Sequence, residues 1–365
     1  MSRSRTRTRA VLRGASCVLF VVLGSCASLP SWFPGSNAPA KLDAERVPAA
    51  IEAAEQDLAA GRSERALDWM RSASRSTGLS SDTRQRVQEL LERAARARVD
   101  ELSQPGSDPE ELADMLEIDL PRQIAVAAGV RAARRMFELG EPMDAYRLLK
   151  KVDTRFPLHH ERVAAGDLLF EIGESLSRDT SSFLGLFRKS DDAQEVLEYL
   201  VLFYPWTSTC DRAYEILARM YEEETEWDLA IERHEKLVLN HPGSPLRPAS
   251  QARIPHLRLQ SLRSPEYDRS QLVQAERELV EWLRAFAGHE REAEVRVDLA
   301  DCLRRLSDSD MVIARFYERV DNAFGARFHA VRAADAARRA GDEARAQEAD
   351  RFASTFPATA AEVNP

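Results

Sequence analysis

Residues 213–245 read Ala213-Tyr214-Glu215-Ile216-Leu217-Ala218-Arg219-Met220-Tyr221-Glu222-Glu223-Glu224-Thr225-Glu226-Trp227-Asp228-Leu229-Ala230-Ile231-Glu232-Arg233-His234-Glu235-Lys236-Leu237-Val238-Leu239-Asn240-His241-Pro242-Gly243-Ser244-Pro245. The apolar spacing is helical on both sides of a short turn. Tyr214, Leu217, Ala218 and Tyr221 mark the first helix; Ala230, Leu237 and the His234 between them mark the second. Trp227 fills the turn. Pro242 ends the second helix, because proline disfavours helical geometry in the residue before it.

The marks of the second helix recur along the chain. They are an Ala, an apolar or aromatic residue four later, a small or apolar residue seven later, and a Pro twelve later. Ala145, Leu149, Val152 and Pro157 fit, as do Ala193, Leu197, Leu200 and Pro205. Ala275, Leu279, Trp282 and Ala287 lack only the Pro, and Ala66, Met70, Ala73 and Gly78 match near the start. Ala326 marks a weaker sixth copy, and Phe356-Pro357 ends a half-copy. An Ala at a helix crossing lets two backbones approach, and the residues four and seven later lie on the same face and pack on the preceding helix. The spacing therefore predicts an all-α chain, an α-solenoid of five to seven helix pairs with a concave face. It resembles the tetratricopeptide repeat, whose usual length is about 34 residues. The Ala marks here stand further apart, so a degenerate copy is expected between Thr83 and Leu120 and an insertion at 178–190.

Composition agrees. The chain has 365 residues, 44% hydrophobic and 30% charged, with only 15 glycines. It is rich in Ala, Leu, Arg and Glu, all helix formers. Barrels, sandwiches and glycine-looped nucleotide folds are disfavoured from the outset. The net charge of −9 gives no basic footprint for nucleic acid.

The first residues read as an address. Arg3, Arg5, Arg7, Arg9 and Arg13 precede an apolar run from Ala15 to Gly24, too short to span a bilayer and fitting a secretory signal. Leu23-Gly24-Ser25-Cys26 then resembles the lipobox of bacterial lipoproteins. That resemblance implies cleavage before Cys26 and acylation of its thiol, and Ala27 in place of Asp implies the periplasmic face of the outer membrane. Loss of five arginines and no acid would take the charge from −9 to −14. The expected organisation is a signal over 1–25, a lipidated tether over 26–43, degenerate helical repeats over 44–120, repeats over 121–248 and further repeats over 249–357.

Within the repeats a narrower resemblance appears. The lipobox and short tether, the run 204–245, and Met311-Val312-Ile313-Ala314-Arg315-Phe316-Tyr317 before Gly325-Ala326 are similar to the tetratricopeptide lipoproteins of the outer-membrane β-barrel assembly machinery, the BamD (YfiO) type. The resemblance implies a barrel-assembly core protein and unfolded outer-membrane proteins as partners. The segment 44–120 has no counterpart in that group. His329 stands where the group usually carries Arg toward its partner, with Arg327 and Arg332 nearby.

No catalytic or metal motif stands out. His159-His160 point about 100° apart on a helix and read as a solvated turn. Gly185-Leu186-Phe187-Arg188-Lys189-Ser190 lacks the glycines of a phosphate loop. No cofactor and no enzymatic activity are expected. Cys210 and Cys302 read as buried free thiols from their helical surroundings, although an oxidising periplasm would permit a disulfide. The candidate partner-binding residues are Arg212, Glu215, Arg219 and Glu222 on the best first helix, Arg134 and Phe137 on an earlier one, and Arg327 and His329 near the end. The expected function is a barrel-assembly scaffold; the alternative is a periplasmic adaptor recruiting cell-wall or secretion components.

Overall fold

The computed structural model describes residues 40–178, 189–262 and 269–357. The expected signal 1–25, Cys26 and the tether to residue 39 lie outside the described residues, as does 185–188. The chain divides into two units, 1–39 and 40–365, and the described helices belong to the second.

Among the described residues there are fifteen α-helices and no strand. Most run as pairs of chain neighbours: α1 (Val47–Ala59) with α2 (Ser63–Ser74), α5 (Arg122–Glu138) with α6 (Pro142–Arg155), and α7 (Arg162–Arg178) with α8 (Lys189–Phe203), while α3 (Ser81–Leu102) is followed by a short α4 (Pro109–Asp114). Then come α9 (Cys210–Glu223) with α10 (Trp227–Asn240), α11 (Arg247–Ser261) with α12 (Arg269–Ala285), α13 (Glu292–Arg319) with α14 (Ala323–Arg339), and a last helix, α15 (Glu343–Ser354). Each helix packs on its chain neighbours, and first helices also pack on first helices: α1 on α3, α3 on α5, α5 on α7, α7 on α9, α11 on α13. No substantial helix contact skips more than one element. That is the signature of a repeat array, in which stability comes from nearest neighbours.

The small residues explain the pairing. Ala66, Ala145, Ala193, Ala230, Ala275 and Ala326 all lie on second helices with no exposed surface. Twelve residues before four of them stand Ala54, Ala133, Ala218 and Ala314, also fully buried, on first helices. Gly129 and Gly173 make close approaches within their helix pairs. A Cβ on Gly129 would stand 2.5 Å from Val152, and one on Gly173 2.5 Å from Leu197, so only glycine lets these helix pairs close.

Between Thr83 and Leu120, where a degenerate copy is expected, the chain forms most of α3 and the short α4, which packs chiefly on α5. α4 is only six residues long, opened by Asp108, whose carboxylate accepts the Glu110 amide at 2.9 Å, and by Pro109. Leu112, Met115 and Leu116 still bury there. One apolar cluster runs unbroken from Val47 to Leu237, across residue 120. A second spans Ala252 to Ala336, and residue 248 falls in the first turn of α11. In that second cluster Trp282 is fully buried, its indole N–H donating to the Pro248 carbonyl at 2.8 Å. The last described helix, α15, buries Ala346, Ala349 and Ala353 and turns Glu343, Gln347, Glu348 and Arg351 outward.

Cys210 and Cys302 are buried free thiols, and burial pushes each up to about 12.

Candidate interaction grooves and the charged ladder

Every step between neighbouring first helices from α3 to α13 carries an acid–base pair. Asp100 on α3 meets Arg131 on α5 at 3.0 Å. Arg134 on α5 pairs with Glu171 on α7. Glu174 on α7 takes Arg212 on α9 at 2.6 Å. Glu222 on α9 takes Arg253 on α11 at 2.6 Å, and His256 on α11 reaches Asp298 on α13 at 3.1 Å. The partners stand 31 to 42 residues apart, about one repeat.

These pairs are not equal. Asp100 is 70% exposed, so its pair contributes little. Glu222 is 15% exposed and holds three helices together. Arg253 grips both carboxylate oxygens from α11, and His234 Nε2 lies 3.1 Å away on α10. Burial alone would raise the Glu222 carboxyl, but the hydrogen bonds from His234 and Arg253 outweigh it and hold it down at about 2.

A similar knot sits at the α6–α7 turn. Asp153 accepts the hydroxyls of Tyr199 and Tyr204 at 2.7 Å, and His159 lies 3.1 Å away. Burial pushes the Asp153 carboxyl up, yet the hydrogen bonds from His159, Tyr204 and Tyr199 hold it below its ordinary value. The solvated turn expected for His159-His160 is therefore corrected for His159, which is buried. Leu158 adopts a positive φ of 54°, and the ring of His159 packs inward onto Asp153. His160 is exposed as expected.

Two adjoining grooves open on the exposed side of α5. One, of about 450 Å³, has Leu102, Leu112, Ala127, Val130 and Ala164 for a floor and Arg131, Arg134 and Arg135 on its rim. The second, of about 320 Å³, shares Ala127, Arg131 and Glu161 with it and adds Arg96 and His160. Together they offer an apolar floor beside several guanidinium groups, with Glu138, Glu161 and Asp100 between them. A third groove of about 540 Å³ lies on the second-helix side, where Lys150 Nζ sits 4.9 Å from the Tyr146 ring and 5.6 Å from that of Tyr199, next to Leu202 and Phe203.

Of the residues expected to bind partners, Arg134 lines the first groove. Phe137, three residues on, is half-buried and packs on the core instead. Arg212 lies over the Phe170 ring at 4.6 Å while pairing with Glu174. Glu215 is half-buried and Arg219 exposed on α9, away from the α5 grooves. Glu222 is occupied by its three-helix clamp. Arg327 donates to the Ala353 carbonyl at 3.0 Å and so fastens α15. His329 Nδ1 meets the buried Asp310 at 2.8 Å and its ring stacks on Tyr317. Arg131 and Arg135 were not among the expected residues. Both stand on α5 within four positions of Arg134, and helical spacing alone could have grouped them.

No protein-family model matches this chain, and no curated protein matches it. Among solved structures, it is similar to a tetratricopeptide repeat protein from Parabacteroides merdae ATCC 43184, at 15% identity over 65% of this chain and 82% of that one, with a TM-score of 0.33. The tetratricopeptide-like character of the fold rests on its own helix pairs and buried Ala marks.

Proposed function

We propose that this protein is a lipid-anchored scaffold that holds segments of partner proteins in the α3–α5–α7 grooves, and that its role is the assembly of β-barrel proteins at the outer membrane. The observation that carries the scaffold reading is the first groove: an apolar floor of several side chains with Arg131, Arg134 and Arg135 beside it. Such a floor takes an apolar side chain, and Arg131, Arg134 and Arg135, each already paired with an acid (Asp100, Glu171 and Glu138), keep further N–H groups for polar or carbonyl groups of an extended segment. The lipobox sequence around Cys26 and the likeness of 204–245 and 311–326 to the barrel-assembly lipoproteins support the finer role.

One observation favours the alternative adaptor role. Leu102, Ser103, Pro105 and Leu112 come from 44–120, the segment without a counterpart in that group. A groove built partly from it suits a partner of a different kind, such as a cell-wall or secretion component. Depletion separates the two. The barrel-assembly role requires that folded outer-membrane barrels fall when the protein is removed; normal barrel levels with a wall or secretion defect would favour the adaptor. Replacing Cys26 by Ala should move the protein from the membrane to the soluble fraction, and unchanged membrane association would contradict the anchor.

A further inference from the structure

The apolar core of the array breaks at α11. The first cluster ends at Leu237 and the second begins at Ala252. Between them lies a bridge of four buried residues, Ala230 and Ile231 on α10 with Ile254 and Leu257 on α11. Tyr221 packs on the bridge and on the first cluster; among the described residues none packs likewise on the bridge and the second. The stacking of first helices is interrupted at the same place. α7 packs on α9 and α11 on α13, but α9 makes no comparable stack on α11. So α11 joins the earlier helices mainly through α10.

The same helix carries the residue that most often bends one. Pro48, Pro109, Pro142 and Pro248 all stand in first turns, where the missing N–H is not needed. Pro255 is buried in the middle of α11, the one such proline among the described helices. It has no N–H to give the Gln251 carbonyl, and its ring crowds that carbonyl, which kinks a helix. The Gln251 side-chain oxygen is also buried there without a hydrogen-bond partner.

Two ion pairs tie α11 back to the earlier helices. Glu235 on α10 meets Arg258 at 2.8 Å but is 50% exposed, so this pair contributes little. Glu222 on α9 is the buried tie. Arg253, two residues before Pro255, holds its two oxygens at 3.1 and 2.6 Å. On the other side α11 is fastened to α12 and α13. Trp282 donates to the Pro248 carbonyl at 2.8 Å, His256 meets Asp298 at 3.1 Å, and Arg305 donates to the Leu259 carbonyl at 2.6 Å. A small apolar bridge, a helix with a proline at its middle and one buried ion pair across the unstacked side together make a pivot with a latch. We infer that α1–α10 and α12–α15 are two blocks that swing about α11, and that the Glu222–Arg253 pair latches them in the observed position. The inference does not depend on what the α5 grooves hold, because every residue lining those grooves lies in the first block.

The test is the distance between two spin labels, measured by double electron–electron resonance on the chain from residue 26 carrying Cys26→Ala. Cys210 and Cys302 are buried and stay unlabelled. Labels in place of Ser175 and Gln347, both exposed, straddle α11; labels in place of Arg93 and Arg219, also exposed, lie within the first block. In Glu222→Gln the straddling pair should give a distance distribution about twice as wide as wild type, or a second distance, while the pair within the block stays unchanged. Adding Pro255→Ala returns an N–H to the Gln251 carbonyl and should narrow the distribution again. If Glu222→Gln loses helical circular dichroism, Arg253→Lys takes its place, since it keeps the charge without the two-oxygen grip. An unchanged straddling pair, equal widening of both pairs, or widening that Pro255→Ala leaves untouched would each overturn the inference. Capture of partners at the α5 grooves is read separately, so either outcome leaves the scaffold reading to its own test.

Discussion

Replacing Glu222 by Gln is the sharpest perturbation of the array. Its carboxylate joins α9, α10 and α11 through His234 and both nitrogens of the Arg253 grip. The lowering from the ordinary value of 4.5 to about 2 corresponds to about 3 kcal/mol of stabilisation at neutral pH. The amide would keep the shape of the side chain but leave Arg253 without a counter-charge, so E222Q should cost about 2–3 kcal/mol at pH 7. The sign with pH follows from the lowered value. The unfolded chain takes up the proton first as pH falls, so the stabilisation is present above about pH 5 and is lost between 4.5 and 2. By about pH 3 the gap between wild type and E222Q should shrink to under half. Urea unfolding followed by far-ultraviolet circular dichroism at both pH values measures it. Asp100→Asn, at the exposed end of the ladder, supplies the contrast and should stay within about 0.5 kcal/mol of wild type. The reasoning fails if E222Q costs no more than D100N, or costs the same at the acid pH as at neutrality.

Two further expectations come from packing. Gly173→Ala forces a methyl to within 2.6 Å of Leu197 Cγ and Cδ2 and should destabilise by about 1–3 kcal/mol, whereas Gly243→Ala meets nothing within 4 Å and should change thermal stability little. Cys210 and Cys302, buried and pushed up to about 12, should resist a thiol reagent at about pH 8 until urea unfolds the array; rapid labelling of the native protein would contradict their burial.

Much of the fold was legible because small residues at crossings leave a fixed spacing. The six Ala marks all proved to be buried on second helices. On the first helices Ala218 was read in the best copy, and Ala54, Ala133 and Ala314 stand at the same place, twelve residues before their marks, but a search anchored on the Pro end of each pair passes over those three. The charged ladder was harder to see. Read within one helix, Asp100 and Glu174 look like solvated surface and Arg134 and Glu222 like free groove residues, because their partners lie one repeat away. A search for opposite charges about 31 to 42 residues apart would have found them. The burial of His159 was hidden because the local sequence does not reveal that Leu158 turns left-handed, which lets the imidazole meet Asp153. The α5 groove was half legible. Arg134 was anticipated, but its floor depends on Leu102 and Leu112 from the preceding pair, a contact that only the stacking of neighbours creates.

The central claim is that the α3–α5–α7 grooves hold segments of partner proteins. It is tested most directly by a photo-crosslinking residue in place of Ala127, which borders both grooves, with Arg147 on the outer side of α6 as the control. In intact envelopes, position 127 should capture barrel-assembly or barrel proteins and position 147 should not. Equal capture at both positions, or none at 127, would contradict it.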